Sequence, residues 1–383
     1  MNTFTSIQPV LFEAAQIVSQ EPIGCLDAID LKFDSSKPVA YGDTVYVPYA
    51  GVGTSSAFTP AATAPEGTGS TASSVGVTIT AIDQVSWNMT GEQILSLENA
   101  TMNTEWLRQK VAQAMRTLRN NAETAAGLAL LQGASRAVGA AGTAPFSTNL
   151  EVVTDARYEL RANGAPNSDL HFVMDLTASR NLLNLGVVQN FYQAGSAAQL
   201  EKGVILDKMG FKMHESGNVT AHTAGAGTGY GLTAAGAAVK SVTLPLDGGT
   251  VNTTGITSGD VVTFASGATD TNKYVVNTAL VATSGNIVIG RPGVKVVKVD
   301  ADALTIGNDF TANLAFHRNA CVGIIRQPQM PANPTIATTL ITDEYGCTYL
   351  LCDVAQWGQR SWMLIMAYGF KVVQSEHVIV VMG

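Results

Sequence analysis

The chain has 383 residues, enough for about two or three domains that each bury a core. Charged residues make up only 14% of it, against roughly 25% in an ordinary soluble domain, and the formal net charge is −8. That balance, with no run of basic residues, argues against a nucleic-acid binder, which must displace counterions from phosphates with concentrated positive charge.

A surface so sparsely charged suits a protein whose faces are covered by neighbours, because a lone monomer relies on charge for solubility; a β-rich domain with many turns would share this composition. The longest apolar stretches, at 362–367 and 378–382, fall far short of the ~18–20 residues needed to span a bilayer. The opening MNTFTSIQPV lacks the basic and apolar regions of a secretory signal, and no membrane partner is expected. Cys25, Cys321, Cys347 and Cys352 lack zinc-ligand spacing and read as reduced thiols.

In chain order, residues 5–20 predict a short amphipathic helix with Ile7, Leu11, Ala14 and Val18 on one face. It is either a detached arm that packs on a partner or a helix docked on its own domain. Residues 40–90 predict a long two-stranded excursion, out along Thr44 to Tyr49 and back along Val75 to Trp87. Between them Gly51 to Gly76 is rich in Ser, Thr, Ala, Gly and Pro. It has little to bury against its ordering entropy, so either it is a disordered tip or a neighbouring subunit orders it.

The clearest helix runs over about 105–132. Leu107, Val111, Ala114, Leu118, Ala122, Ala125 and Ala129 form its apolar stripe, and Arg108, Lys110, Arg116, Arg119 and Glu123 lie largely off it. A second helix opens on a capping-box pattern at Thr148 to Glu151 and stops at Asn163 and Gly164. A buried strand at 170–174 and a short helix at about 177–185 follow. This alternation indicates an α/β or α+β body.

The six glycines between Gly217 and Gly236 read as a linker. Beyond them come short strands at 241–246, 261–264, 274–282, 286–289 and 294–299, separated by turn signals, as in a small β-barrel or sandwich. Mixed character resumes after Phe310, with strands at 321–326, 348–352 and 371–373. The simplest account is a β-domain inserted into a discontinuous α/β host.

Chemistry-bearing motifs are missing. There is no GxxxxGK[ST] phosphate loop, GxSxG elbow or HExxH pair, and the glycines of 225–231 have no strand before them or helix after them. His171, His214, His222, His317 and His377 are scattered without ligand spacing, and Cys347 and Cys352 are expected to be core thiols. No catalytic, cofactor-binding or metal residue is nominated, and the chain is not expected to be an enzyme.

The inserted region contains TSGDVVTFASG (257–267), KYVV (273–276) and NIVI (286–289); LAFHRNA (314–320) follows, then Gln327-Pro and Met330-Pro-Ala-Asn333. The C-terminal end runs from Ser361 through Tyr368-Gly-Phe370 to a turn with Glu376 and a last apolar strand. These segments, over about the last 170 residues, resemble the major capsid proteins of tailed bacteriophages of the podophage type with an inserted β-domain. Gln374-Ser375 departs from the pattern, where a proline is expected, and the N-terminal half matches by element order.

The resemblance implies the Hong Kong-97 capsid fold, an α+β architecture. It divides the chain into an N-terminal arm (1–24), an extended loop and its flanks (25–92) and a peripheral domain (93–149) whose spine helix is 105–132. An axial domain (150–217 and 310–383) is interrupted by the glycine-rich linker and β-barrel (218–309). It further implies hexamers and pentamers in an icosahedral shell, scaffolding and portal proteins as partners, and double-stranded DNA enclosed without sequence-specific binding. Assembly would take place in the host bacterial cytoplasm. Rival readings are an encapsulin-like compartment shell and a β-rich surface adhesin.

Overall fold

A computed structural model describes residues 22–31, 38–49, 57, 60, 73–99, 103–189, 207, 209–265, 270–330, 336–343 and 345–383. The helix expected at 5–20 and most of Gly51 to Gly76 lie outside these residues. The architecture is α+β, as the sequence predicts.

The chain enters through α1 (Cys25–Ala28) and a hairpin of β1 (Thr44–Tyr49) and β2 (Ser73–Thr78). Next come β3 (Ala81–Thr90), α2 (Gly91–Asn99), α3 (Asn103–Gly133) and β4 (Arg136–Gly139). Then follow α4 (Glu151–Ala162), β5 (Leu170–Met174), α5 (Leu176–Asn184), α6 (Gly186–Gln189) and β6 (Phe211–Glu215). The inserted region holds β7 (Ala221–His222), β8 (Gly231–Leu232), β9 (Thr243–Asp247), β10 (Val261–Phe264), β11 (Lys273–Thr278), β12 (Gly285–Ile289) and β13 (Leu304–Ile306). The chain closes with β14 (Phe310–His317), β15 (Cys321–Arg326), β16 (Ile336–Thr342), β17 (Thr348–Gln356), β18 (Gln359–Val372) and β19 (Val378–Met382).

The return arm expected as one strand from Val75 to Trp87 is two strands. Ile79 is buried between them, its N–H bonded to the Asp43 carbonyl, and the Thr80 N–H bonds to Tyr368. That break turns the chain into a different sheet, where β3 pairs with β18 from Tyr368↔Ala81 to Gln359↔Thr90. Residues 81–90 therefore form an edge strand of that sheet. β17 lies on the other side of β18 with β16 outside it, and β15 pairs with the C-terminal part of β18.

Period-2 patterning sorts the faces of this sheet. Trp362, Leu364 and Met366 join the main core with α3, while Leu350, Cys352 and Ile365 form a separate cluster on the reverse. At 1.5 Å per residue α3 is about 46 Å long. Its stripe is buried through Leu107, Val111, Ala114, Leu118 and Ala122, as expected, whereas Ala125 and Ala129 are only partly covered. Toward its C-terminus Ala126, Leu130 and Leu131 take over the buried face. The 3.6-residue repeat drifts that way against a straight row. α4 departs in detail from its capping pattern: its N-cap is Leu150, and Asn149 Oδ1, rather than Thr148, accepts the Glu151 N–H at 3.1 Å.

A second sheet of twelve strands has nine in the order β6-β5-β14-β19-β4-β11-β12-β9-β8, with β7 on β14, β10 on β11 and β13 on β10 besides; β5/β6 and β19/β4 are parallel. One face of its host part, with Phe172, Met174, Ala315, Ile379 and Val381, packs on α4 and α5. The other, with Val173, Leu314, Phe316, Val378 and Val380, completes the main core.

The region after Gly217 corrects three expectations. First, Gly217 to Gly236 is not a free linker. Tyr230 and Leu232 are buried in the core shared by Leu244, Phe264, Val276, Ile287 and Val294, and the Tyr230 hydroxyl donates to the Ala282 carbonyl at 2.9 Å. Secondly, 294–299 contributes only a bridge, Ala237↔Lys298, while Leu304–Ile306 is a strand the sequence did not announce. Thirdly, the β-region is no detached barrel. Tyr274↔Arg136 and Lys273↔Ala137 stitch β11 to β4, Val261 and Val275 belong to the main core, and one sheet passes from host to insertion. In the C-terminal part the strand expected at 371–373 is only the end of the 14-residue β18.

Candidate functional site

Most buried polar side chains here are used to fasten distant segments. Glu123 and Arg119, expected largely off the apolar stripe of α3, are both about 1% exposed. The Glu123 carboxylate accepts the N–H groups of Gly24 (2.8 Å), Cys25 (2.7 Å) and Leu26 (2.8 Å), and the Ser216 hydroxyl at 2.8 Å. It thereby satisfies the orphan donors that open α1. Arg119 lies over the Tyr345 ring at 5.3 Å. Nearby Asp343 accepts from Tyr345 N–H, Cys347 N–H and the Tyr349 hydroxyl at 2.9–3.0 Å, and burial pushes its carboxyl above the ordinary range. All four cysteines are buried free thiols.

The TSGD turn has a similar use. Asp260, fully buried, accepts from Thr257 N–H (2.7 Å), Thr257 Oγ1 (2.8 Å) and Gly225 N–H (3.0 Å), and bonds His222 Nε2 at 2.8 Å. The glycine-rich segment is thus pinned to β10 by a side chain 35 residues on.

The fold also joins histidines that are far apart in sequence. His171 Nδ1 meets His214 Nε2 at 2.9 Å because β5 and β6 pair in parallel: Lys212 stands opposite His171, and His214 lies two positions further along β6. Asp169 Oδ1 lies 3.3 Å from His171 Nε2 and 2.8 Å from Lys212 Nζ, and Asp27 Oδ2 lies 3.3 Å from His214 Nδ1. Burial, then the neighbouring His214, lowers the His171 pKa to about 4. The unfolded chain therefore binds this proton first as pH falls. The stabilisation is complete above the ordinary histidine value of ~6.5 and is lost on the way down to pH 4. We expect wild-type protein to lose about 2–3 kcal/mol from this group over that window. Denaturant titrations at pH 7.5 and 4.5 should show this loss, and His171→Gln should lessen the difference; an equal pH response in the two proteins would contradict it.

Recesses among the described residues include two of different lining. One, of about 720 Å³, is walled by Ala224 to Gly229 and Leu304 to Asp309, mostly backbone and small side chains. The other, of about 240 Å³, is lined by Arg136, Asp155, Tyr158, Glu159 and Lys273 among others. Three of these charges are engaged: Glu159 holds Lys295, Lys273 donates to the Gly139 carbonyl, and Arg136 stacks on Tyr274 at 4.5 Å. Among the described residues no group of three His, Cys, Asp or Glu side chains could hold a metal ion, and no helix is long and apolar enough to cross a membrane.

What remains for recognition is the outside. Trp357, at the β17–β18 turn, is 101% exposed, and Tyr41 and Tyr46 at the β1–β2 hairpin are 71% and 68% exposed. Among the described residues β3 and β16 each pair on one side only, leaving both long edges of the smaller sheet open. Aromatic side chains on hairpins and unpaired strand edges are the features through which chains associate.

No protein-family model matches the chain, and no curated protein matches it. Solved structures do. One described as Mycobacterium phage Che8 is 12% identical, with 94% of this chain and 92% of that one covered at a TM-score of 0.49. A capsid structure of the Cyanophage P-SCSP1u is also 12% identical, with 94% and 88% covered and a TM-score of 0.49. A virus-like particle from Pyrococcus furiosus is 7% identical, with 98% and 100% covered and a TM-score of 0.45. Most of the structures to which the chain is similar come from phage particles and capsids.

Proposed function

We propose that this chain is a shell-building subunit, the major capsid protein of a tailed bacteriophage. Many copies form hexamers and pentamers that close around double-stranded DNA, held by contact rather than by sequence-specific binding. The observation that carries the reading is the β1–β2 hairpin. Its base is fixed by Val47 and Val77 against Val322, Ile324 and Ala367 of the smaller sheet, and it carries residues 50–72, a segment with little apolar surface of its own. A segment of that composition gains most order when a neighbour covers it.

On this reading residues 1–24 are the N-terminal arm, the hairpin and its tip are the extended loop, and α3 is the spine of a peripheral domain. The sheet of β5, β14 and β19 belongs to the axial domain, and the β-region between Gly217 and Phe310 is the insertion. The motifs LAFHRNA and 361–370 lie on β14 with its following turn and on β18, within the two sheets that such a subunit needs. Scaffolding and portal proteins are the further partners, and the virion capsid is the location.

Electron microscopy of the purified chain, alone and with a scaffolding partner, should show closed shells or capsomers; a stable monomer in every condition would sink the proposal. Nucleic acid inside shells from infected cells separates a virion from an encapsulin-like compartment, which would hold protein cargo instead. Because Trp357 touches so little of its own subunit, Trp357→Ser should leave the thermal midpoint within about 2 °C of wild type. It should still lower shell yield about tenfold. Unimpaired assembly would remove Trp357 from the contact.

A further inference from the structure

Lys298 and Asp270 form an ion pair whose side chains are both 0% exposed, inside the β-region. Such a pair is an expensive way to fill a core, because desolvation of two charges opposes their attraction. Its surroundings are more specific than a salt bridge requires. The Lys298 ammonium lies over the Phe264 ring at 5.2 Å, and Phe264 packs edge-on to Tyr274. Asp270 Oδ2 is the oxygen that faces Lys298 Nζ, and the Tyr274 hydroxyl donates to that same oxygen at 3.1 Å. The other oxygen, Oδ1, accepts both the Asn272 N–H at 3.0 Å and the Asn272 side-chain amide at 2.6 Å. Lys298 is held in place by paired backbone bonds with Ala237, at 2.8 and 2.9 Å.

We propose that Lys298 and Asp270 condense to an intrachain amide, a modification that locks the β-region. Each group around the pair has a part in that reaction. The ion pair and its neutral form, amine beside carboxylic acid, differ by one proton passed from Nζ to Oδ2; burial favours the acid, but the hydrogen bonds from Lys298 and Asn272 hold the Asp270 carboxyl below its ordinary range, so the neutral pair is the minor, reactive form. The neutral amine attacks Cγ, forming the C–N bond. Charge develops on Oδ1, where the two Asn272 donors already point, an arrangement of the oxyanion-hole type. A second proton leaves nitrogen and reaches Oδ2, relayed by the Tyr274 hydroxyl, as the Cγ–Oδ2 bond breaks. Burial pushes the Tyr274 pKa up to about 12, so the hydroxyl stays protonated for that relay. One ammonium and one carboxylate become one amide and one water, with no oxidant or reductant.

Asp270 precedes β11, and Lys298 lies 28 residues on, beyond β12. The link would close these strands into a loop within the core that includes Tyr230 and Val294.

The test is the mass of the folded full-length wild-type chain, with peptide mapping. We expect a deficit of about 18 Da, one water, and a branched peptide joining the segments around Asp270 and Lys298. Asp270→Ala should restore the full mass, and Tyr274→Phe should slow the approach to the lighter form at least tenfold. A folded wild-type chain at full mass, or one whose deficit maps to another residue, would overturn the proposal. The wild-type measurement is decisive even where a variant fails to fold, and it does not depend on whether the chain builds shells.

Discussion

Glu123→Ala is expected to detach residues 22–31 from the body and to destabilise the chain by about 3–6 kcal/mol. The substitution leaves the N–H groups of Gly24, Cys25 and Leu26 without their shared acceptor in a buried site, each costing about 1–3 kcal/mol. With the acceptor gone, Ile23, Leu26, Ala28 and Ile29 have less to hold them in the main core. Glu123→Gln should cost less, because one oxygen remains, but its amide would turn a donor toward a donor. Hydrogen exchange would show amides 24–26 losing protection well before those of β18. Unchanged protection in the Ala variant would mean that apolar packing alone fixes this segment.

A change at the centre of α3 should be more severe. Leu118, 1% exposed, lies in the core between α3 and the smaller sheet. Leu118→Asp places a carboxylate among the apolar side chains of the main core. The cost is several kcal/mol, set against a total of about 5–15 for a typical domain. We expect insoluble or unfolded chain and no shells, read by solubility and circular dichroism, while Leu118→Met should be tolerated at under about 1.5 kcal/mol. Soluble, cooperatively folding Asp variant would mean the helix does not need this face.

The two variants also mark where sequence reading succeeded and where it stopped. Leu118 was legible, because apolar residues at spacings of three and four identify a buried helix face without reference to any partner. Glu123, on the same helix, was misplaced. A carboxylate off the stripe ordinarily faces water, and only the arrival of α1 and Ser216, more than 90 residues away, turns it inward. His171 and His214 escaped notice for the same reason. Forty-three residues separate them, and the parallel pairing of β5 and β6 that makes them diagonal neighbours leaves no local mark.

The sequence by itself determined the α+β class, the long helix, an outgoing strand at 44–49 with a return from Val75, and the strands at 170–174, 321–326 and 348–352. These depend on periodicity and turn residues, which act over a few neighbours. Tertiary structure alone decided that β3 lies beside β18, with the Tyr368 hydroxyl on Asp83 at 2.6 Å across 285 residues. It alone decided that the glycine-rich segment is pinned to Asp260, that β11 joins the insertion to β4, and that Lys298 meets Asp270 in the dark of a core. Period states which face of an element is buried; which partner buries it is settled only when the whole chain competes for the same apolar surface.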